Sequence, residues 1–159
     1  MKGSNPVRAA GTLDAHGGRP APFSFPMRVY YQHTDAGGVV HHAAYLGFME
    51  AARMEWLAAR GIDVRELALN ECAQLVVYSL AIQYHKPARV NDRLEVTADL
   101  VRLGRVRMEF DQRVLLGGDA IVTAGVHAVC VHTQTLKALP VPASLRDRLL
   151  AHAVGAATS

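Results

Sequence analysis

Three consecutive strand patterns in the second half of this 159-residue chain restrict the folds that it can adopt. They cover residues 93–103, 105–116 and 119–133, where apolar side chains either alternate with polar ones or fill both faces. Only Gly104 and the pair Gly117-Gly118 separate them, and glycine favours the tight turns of β-hairpins. Strands joined by such short turns run antiparallel, so the sequence predicts an antiparallel sheet.

One long helix precedes these strands. Apolar residues recur with the period of an α-helix across residues 43–59, and Gly61 follows where the helix is expected to end. The stripe consists of Tyr45, Met49, Ala52, Trp56 and Ala59. The remaining predicted elements are a strand at 25–33, a helical turn or two at 63–70, a strand at 73–86 and a short helix at 142–153. We therefore predict the α+β class, with one long helix against a five-stranded antiparallel sheet.

Length and composition indicate one domain. We predict a flexible leader at 1–22, the folded domain at 23–145, and a short C-terminal helix with a loose tail at 146–159. Half of the residues are hydrophobic and only 19% are charged, which argues against global disorder. The formal charge is +3 and the basic residues are scattered, so a nucleic-acid partner is not expected.

The cysteines and the hydropathy bear on the cellular compartment. Cys72 and Cys130 lie in apolar runs without a CxxC pair, so we expect buried free thiols, which are compatible with a reducing cytoplasm. No apolar run reaches the roughly 18 residues of a membrane span. No continuous apolar core follows Lys2 and Arg8, so no signal peptide is expected. The predicted location is cytoplasmic, with no integral membrane segment.

The strongest chemical signal is Asp35, which stands between a predicted strand and the start of the long helix. Gly37 and Gly38 follow it and let a ligand approach the main chain. The helix start leaves backbone N–H groups unpaired and partly positive. A thioester carbonyl polarised there is open to attack by Asp35, or by a water that Asp35 deprotonates. The alternative is that Asp35 only forms a turn or a cap.

Candidate substrate contacts surround this carboxylate. In the loop and first helical turn they are Gly38, Val39, Val40 and His41, and the backbone N–H of His42 is a candidate catalytic donor. Tyr45 lies on the apolar stripe, which favours core packing over contact with a ligand. Glu50 either pairs with Arg53 on the helix or assists as a base. Strand 73–86, with Val77 and Ser79, is expected to line the substrate pocket.

Three histidines, His33, His41 and His42, lie close together and raise the question of a metal site. On a strand, His33 and Asp35 would share a face because they are two residues apart. The histidines follow no standard ligand spacing and no cysteine joins them, so we expect no metal.

Six basic residues near turns are candidate contacts for the phosphates of a nucleotide-bearing carrier, since an arginine fork fits phosphate oxygens. They are Lys86, Arg89, Arg102, Arg105, Arg107 and Lys137. The alternative is that they are ordinary solvated charges on the rim of the sheet. The sequence contains no GxGxxG, Walker-type or GxSxG motif, so neither a nucleotide-binding fold nor a serine hydrolase is predicted.

The segment from Arg28 to Arg53, RVYYQHTDAGGVVHHAAYLGFMEAAR, resembles the hotdog-fold acyl-CoA thioesterases. Within them it is most similar to the Tol–Pal-associated group, which is related to the 4-hydroxybenzoyl-CoA thioesterases. Shorter stretches at 84–89 (YHKPAR) and 110–113 (FDQR) agree with it, and the similarity covers roughly residues 25–145.

The resemblance implies a hotdog fold, in which the sheet wraps around the long helix. It also implies a homodimer or homotetramer with its sites at the subunit interface and no metal or redox cofactor. Asp35 matches the catalytic aspartate, the nucleophile or general base, and His42 matches the helix-start N–H on the thioester carbonyl. Tyr45 and Glu50 match positions near the active-site helix. His33 and Ala44 depart from the family pattern, where an acidic residue and Asn are common, and so bear on substrate preference.

The predicted function is hydrolysis of an acyl-CoA or acyl carrier protein thioester, which releases a carboxylic acid and the free thiol carrier. Three alternatives stay open. One is a hotdog hydratase or dehydratase that uses His33 or His42 beside Asp35, and another is a non-catalytic acyl-CoA-binding module. The third is a scaffold in a larger envelope-associated assembly. The sequence does not distinguish a covalent anhydride from a water activated by Asp35.

Overall fold

A computed structural model describes residues 23–154, so the predicted leader and the last five residues of the predicted tail lie outside the described part. The elements in chain order are β1 (Phe23–Arg28), α1 (Ala44–Ala58), α2 (Val64–Glu71), β2 (Ala73–Tyr84), β3 (Arg93–Leu103), β4 (Arg107–Leu116), β5 (Asp119–His132) and α3 (Ala143–Val154). The five strands form one antiparallel sheet in the order β1-β3-β4-β5-β2. The predicted α+β class with a five-stranded antiparallel sheet is confirmed.

Strand β2 lies at one edge of the sheet because it pairs with β5 and not with its successor β3. The pairing runs from Ala73 opposite His132 to Tyr84 opposite Val122. The two hairpins, β3–β4 and β4–β5, form as the glycine turns predict, and Gly117 and Gly118 both adopt positive φ. Exposed apolar side chains lie along β2, namely Val76, Val77, Tyr78 and Leu80. A long edge strand of this kind is suited to pairing with another chain.

The sheet has two ends, and they matter for the site. At the loop end, β1, β2 and β4 finish and β3 and β5 begin. The opposite end, which we call the hairpin end, carries the Gly104 turn between β3 and β4. The turn between β4 and β5 lies at the loop end. Because Asp35 follows β1, the candidate catalytic segment starts from the loop end.

Helix α1 supplies the centre of the core. Its predicted stripe is buried at Tyr45, Met49, Ala52 and Trp56, and the helix packs on β1, β3 and β4. The Trp56 ring meets Phe110 edge-on with centroids 5.3 Å apart. The predicted span of residues 43–59 matches Ala44–Ala58 closely, because the stripe and the positive φ of Gly61 are both local signals.

A buried polar network ties α1 to the sheet. The Gln112 side chain is only 1% exposed, and its Nε2 donates to the carbonyls of Met49 and Thr97 at 3.1 and 3.0 Å. Its Oε1 accepts from Arg53 Nη1 at 2.6 Å. Burial lowers the pKa of Arg53, and the negative charge of Glu50 opposes that shift. The side chain of Gln112 therefore hydrogen-bonds to a carbonyl of α1, to a carbonyl of β3 and to the partly desolvated guanidinium of Arg53.

The strand predicted at 25–33 is too long, since β1 ends at Arg28 and residues Tyr31–His33 form a short 3-10 helix. Nδ1 of His33 accepts from the Tyr30 N–H at 3.0 Å and closes this turn. The aromatic residues that favour a strand are thus overridden by a side-chain hydrogen bond. The sequence suggested that His33 and Asp35 share a strand face. Because no strand forms there, that expectation is wrong.

The prediction of two buried thiols is correct for Cys130 and wrong for Cys72. Cys130 is fully buried on β5, and burial raises the pKa of its thiol. Cys72 is exposed at the C-cap of α2 with a left-handed φ of 49°. Its apolar neighbours misled the prediction, because a helix end and not a strand interior occupies that position.

Helix α3 packs onto the domain through the buried residues Leu145 and Leu149. Arg146 also donates to the Gly104 carbonyl at 2.6 Å, which ties α3 to the hairpin end. Within residues 23–154, no helix combines the length and the apolar character needed to cross a bilayer.

Candidate functional site

The Asp35 segment is a closed loop between β1 and α1. Thr34 and Val40 form an isolated antiparallel bridge, and the Asp35 N–H donates to the Val39 carbonyl at 2.9 Å. The Gly38 N–H returns to the Asp35 carbonyl at 3.0 Å, with a φ of +76° that favours glycine. These bonds hold Asp35 at a defined point of the loop.

The Asp35 carboxylate is exposed and has one oxygen committed to the loop. Its Oδ1 accepts from the Gly37 N–H at 2.8 Å, and a β-carbon on Gly37 would stand only 3.1 Å from that oxygen. Glycine therefore permits the close approach between this peptide and the carboxylate. Across residues 23–154, no hydrogen bond is found to the second oxygen, Oδ2, which leaves it available to a substrate or a water.

The start of α1 offers fewer free amides than the sequence suggested. The Val40 N–H donates to the Ala88 carbonyl and the His41 N–H to the His33 carbonyl, both at 2.8 Å. The expectation of unpaired amides is therefore wrong for Val40 and His41, because tertiary contacts already use them. The His42 N–H has no acceptor anywhere in the described range, so it stays a candidate donor.

The side chains of the two adjacent histidines stay at the surface. His41 and His42 are exposed, and their rings lie at an angle of 32° with centroids 4.2 Å apart. Nδ1 of His41 accepts from the N–H of Ala43, the N-cap residue of α1, at 3.2 Å. Of their two backbone N–H groups, only that of His42 has no acceptor in the described residues.

The other predicted substrate contacts lie in different environments. Tyr45 is 2% exposed and its hydroxyl accepts from the Ala88 N–H at 3.2 Å, so it packs in the core. Burial raises its pKa. Glu50 is exposed on α1, while Val77 and Ser79 are exposed in the middle of β2, on either side of a register shift. Within one chain, Val77 and Asp35 are not brought together by any contact described.

Among the described residues, the contacts of the His33 ring are made with groups other than Asp35, and no cluster of metal ligands includes Asp35. The His33 ring packs edge-on against Phe48 at 4.9 Å, and Nδ1 is occupied by the Tyr30 N–H. Among the side chains of the described residues, no three His, Cys, Asp or Glu groups converge as metal ligands would.

The six basic candidates divide between the two ends of the sheet. Nη1 of Arg89 lies 4.0 Å from the point where a β-carbon on Gly38 would stand, so Arg89 borders the Asp35 loop. Lys86 is at the same end, where it pairs with Asp119 at 2.8 Å and lowers the pKa of that carboxyl. The others, Arg102, Arg105, Arg107 and Lys137, lie at the hairpin end. Within one chain, the predicted phosphate contacts thus form two groups and not one.

Two of the hairpin-end arginines already have partners. Arg102 pairs with Glu109 at 3.4 Å, and the Arg107 guanidinium lies 5.4 Å from the centroid of the Tyr78 ring. Both arginines stay exposed. Such contacts orient the guanidinium groups without removing them from solvent.

Sequence reasoning missed Tyr84. This last residue of β2 donates its hydroxyl hydrogen to the His42 carbonyl at 2.9 Å, and its ring meets that of Tyr45 at 5.7 Å. No local pattern marks this contact, because its two partners are 42 positions apart. The available signals were its place near the end of the predicted strand, three residues before Pro87, and its inclusion in the YHKPAR stretch of the family resemblance.

Comparison with known proteins agrees with this architecture. The pattern of the thioesterase superfamily matches residues 37–123. An acyl-CoA thioester hydrolase of Escherichia coli, YbgC, is 36% identical over 124 residues, which cover 77% of this chain and 92% of that protein. A 1,4-dihydroxy-2-naphthoyl-CoA hydrolase of Synechococcus elongatus is 30% identical over 130 residues, which cover 81% of this chain and 96% of that protein.

Solved structures match as well. A probable thioesterase from Bartonella henselae superposes with a TM-score of 0.74 and 32% identity, over 77% of this chain and all of that one (100%). The predicted hotdog fold and the predicted resemblance to acyl-CoA thioesterases are thereby confirmed. By sequence pattern, by relatives that align over most of both chains and by fold, this chain belongs to the thioesterase superfamily.

Proposed function

We propose that this protein hydrolyses acyl-CoA thioesters, with Asp35 as the nucleophile or general base. The observation that carries the proposal is the Asp35 loop. One carboxylate oxygen is fixed by the Gly37 N–H while the other has no partner in the described range, and the unpaired His42 N–H follows at the helix start. A fixed acid followed within seven residues by an unpaired amide suits attack on a polarised carbonyl.

Two balanced routes use this arrangement. In the covalent route, Asp35 attacks the acyl carbon, the carbon–sulfur bond breaks, and the CoA thiolate takes a proton from water. Water then splits the mixed anhydride into the carboxylic acid and free Asp35. In the general-base route, Asp35 removes a proton from the water that attacks the carbonyl directly, the carbon–sulfur bond of the tetrahedral intermediate breaks, and the CoA thiolate takes up the proton held by Asp35. Turnover in ¹⁸O-water that labels the Asp35 carboxylate would establish the covalent route, since only an anhydride can deliver that label.

We assign the His42 N–H to the developing oxyanion. A backbone donor held in place stabilises the negative charge of the tetrahedral intermediate without reorganising during the reaction. Of the three amides from Val40 to His42, those of Val40 and His41 already donate to carbonyls, so only that of His42 can serve.

We further propose that two copies pair through their β2 edges. Identical edge strands that pair antiparallel are related by a twofold axis, so the hairpin end of one copy lies beside the loop end of the other. The arginines at the hairpin end are separated from the loop end of their own chain by about 30 Å of strand. Pairing would bring them to the Asp35 loop of the partner copy. Sedimentation that gives a monomer at micromolar concentration would contradict this arrangement.

Binding of the nucleotide part of CoA is expected to depend on Arg89. Replacing Arg89 by Met should raise KM for an acyl-CoA about tenfold with kcat within twofold, because one guanidinium–phosphate contact is worth about 1–2 kcal/mol. KM for the matching acyl-pantetheine, which lacks the nucleotide, should stay unchanged. Arg65→Met, an exposed arginine of α2, is the matched control. An equal rise in KM for both thioesters would refute the assignment of Arg89.

A panel of short-chain, aromatic and long-chain acyl-CoAs, with thiol release as the readout, tests the activity itself. We expect at least one to be hydrolysed, without loss of rate after dialysis against a chelator, since we propose that no metal takes part. Hydration of an enoyl-CoA without thiol release would instead support the lyase alternative. Tight binding without either reaction would support a non-catalytic module.

The proposed compartment is the cytoplasm. Both cysteines are free, which is compatible with a reducing environment. Fractionation of cells that produce the protein tests this assignment.

A further inference from the structure

We propose that Tyr84 is a positioning residue, which fixes residue 42 so that its amide is held for the carbonyl oxygen of the substrate. This inference rests on the proposed function, because it concerns the amide assigned to the oxyanion. It adds a residue from the edge strand β2 to the contacts that position the segment between β1 and α1.

The contact meets an otherwise unfilled hydrogen-bonding position. In a regular helix, the His42 carbonyl would accept from the N–H four residues later, that of Leu46. Here the Leu46 N–H donates to the Ala43 carbonyl at 3.1 Å. The Tyr84 hydroxyl fills the vacant place on the His42 carbonyl with a hydrogen bond of 2.9 Å. Edge strand β2 thus holds the residue that precedes the N-cap of α1.

Tyr84 is itself held in place by the core. Its backbone pairs with Val122 as the last rung of the β2–β5 ladder, and its ring lies against the buried Tyr45. The Tyr45 hydroxyl accepts from the Ala88 N–H, and the Ala88 carbonyl accepts from Val40. Two tyrosines and one loop residue therefore fasten the chain on both sides of His41.

Loss of the Tyr84 hydroxyl should affect rate more than stability. Tyr84 is 46% exposed, so water can replace the lost hydrogen bond in the folded protein. A donor that is less well fixed stabilises the transition state less, although substrate binding in the ground state is unaffected. Removing an oxyanion donor outright costs about 10²–10³ in kcat, and loosening one should cost less, about tenfold.

The test is Tyr84→Phe, which removes one oxygen atom. We expect kcat to fall about tenfold, with KM and the melting temperature close to those of the parent. The affinity for an S-alkyl-CoA thioether, which lacks the carbonyl, should not change. Tyr31→Phe is the matched control, because that phenol is 82% exposed and makes no hydrogen bond in the described structure.

A second measurement needs no turnover. The ¹⁵N order parameter of the His42 amide should drop in Tyr84→Phe and stay at the parent value in Tyr31→Phe. If the parent hydrolyses no acyl-CoA but this drop occurs, the thioesterase proposal fails while the positioning of residue 42 stands. An unchanged kcat and order parameter, a parallel rise in KM and thioether Kd, or a variant that does not fold would each overturn the role given to Tyr84.

Discussion

Replacing Asp35 by Asn should lower kcat for acyl-CoA hydrolysis about 10³-fold, within the range of 10²–10⁴ found for a positioned acid or base. The amide keeps the shape of the side chain, and its oxygen can still accept the Gly37 N–H that fixes the loop. It is neither a nucleophile nor a base, so both routes to product are lost. KM should change little, because the bonds that shape the loop are retained.

The measurement is thiol release at saturating acyl-CoA, together with thermal unfolding of each variant. Asp147→Asn on α3 is the matched control, since that carboxylate is also exposed but lies on a helix that contributes no predicted site residue. We expect its kcat to lie within twofold of the parent. An Asp35→Asn protein that is folded and retains more than a tenth of the parent rate would show that another group performs the chemistry.

The long helix was predictable because its signals are local. The apolar stripe and the glycine at its end place its limits within one residue of α1. The end of β1 was not predictable in this way. Beyond Arg28, the Val29 N–H donates to the carbonyl of Asp92 in a distant loop. The next N–H, that of Tyr30, donates to the His33 ring, and the chain turns there. The sequence of β1 contains no pattern that indicates these partners.

The same distinction applies to the candidate site. Asp35 and the glycines after it form a local motif, and the structure places them in one closed loop. Residues outside the motif determine which amides stay free. The Val40 N–H donates to the Ala88 carbonyl, and the His41 N–H donates to the His33 carbonyl. A sequence pattern indicates where a helix starts, but distant residues decide which of its first donors reach a ligand.

The sheet order adds a third case. Glycine turns identified the β3–β4 and β4–β5 hairpins, yet nothing in β2 indicates that it pairs with β5. That pairing is what brings Tyr84 to the start of α1 and leaves the apolar edge of β2 exposed. The residues that sequence reasoning missed are therefore those whose roles depend on non-sequential strand pairing.

The largest effect on stability is expected from Gln112→Leu, which should lower the free energy of unfolding by about 3 kcal/mol. Leucine fills a similar volume but makes none of the three hydrogen bonds of Gln112. The Thr97 carbonyl then loses its side-chain donor, and the Arg53 guanidinium loses its acceptor in a partly desolvated position. An unpaired polar group costs more when buried than its hydrogen bond contributes when made.

A double variant separates the unpaired cation from the lost packing. In Gln112→Leu combined with Arg53→Met, no guanidinium is left without its acceptor, so we expect at least a third of the lost stability to return. Urea unfolding at one fixed protein concentration measures all four proteins of the cycle, since subunit association would otherwise shift the midpoint. If the single variant loses less than about 1 kcal/mol, or if the two losses simply add, then the network does not hold α1 on the sheet. In that case the position of α1, and with it the His42 amide, is fixed by apolar packing such as that of Trp56 on Phe110.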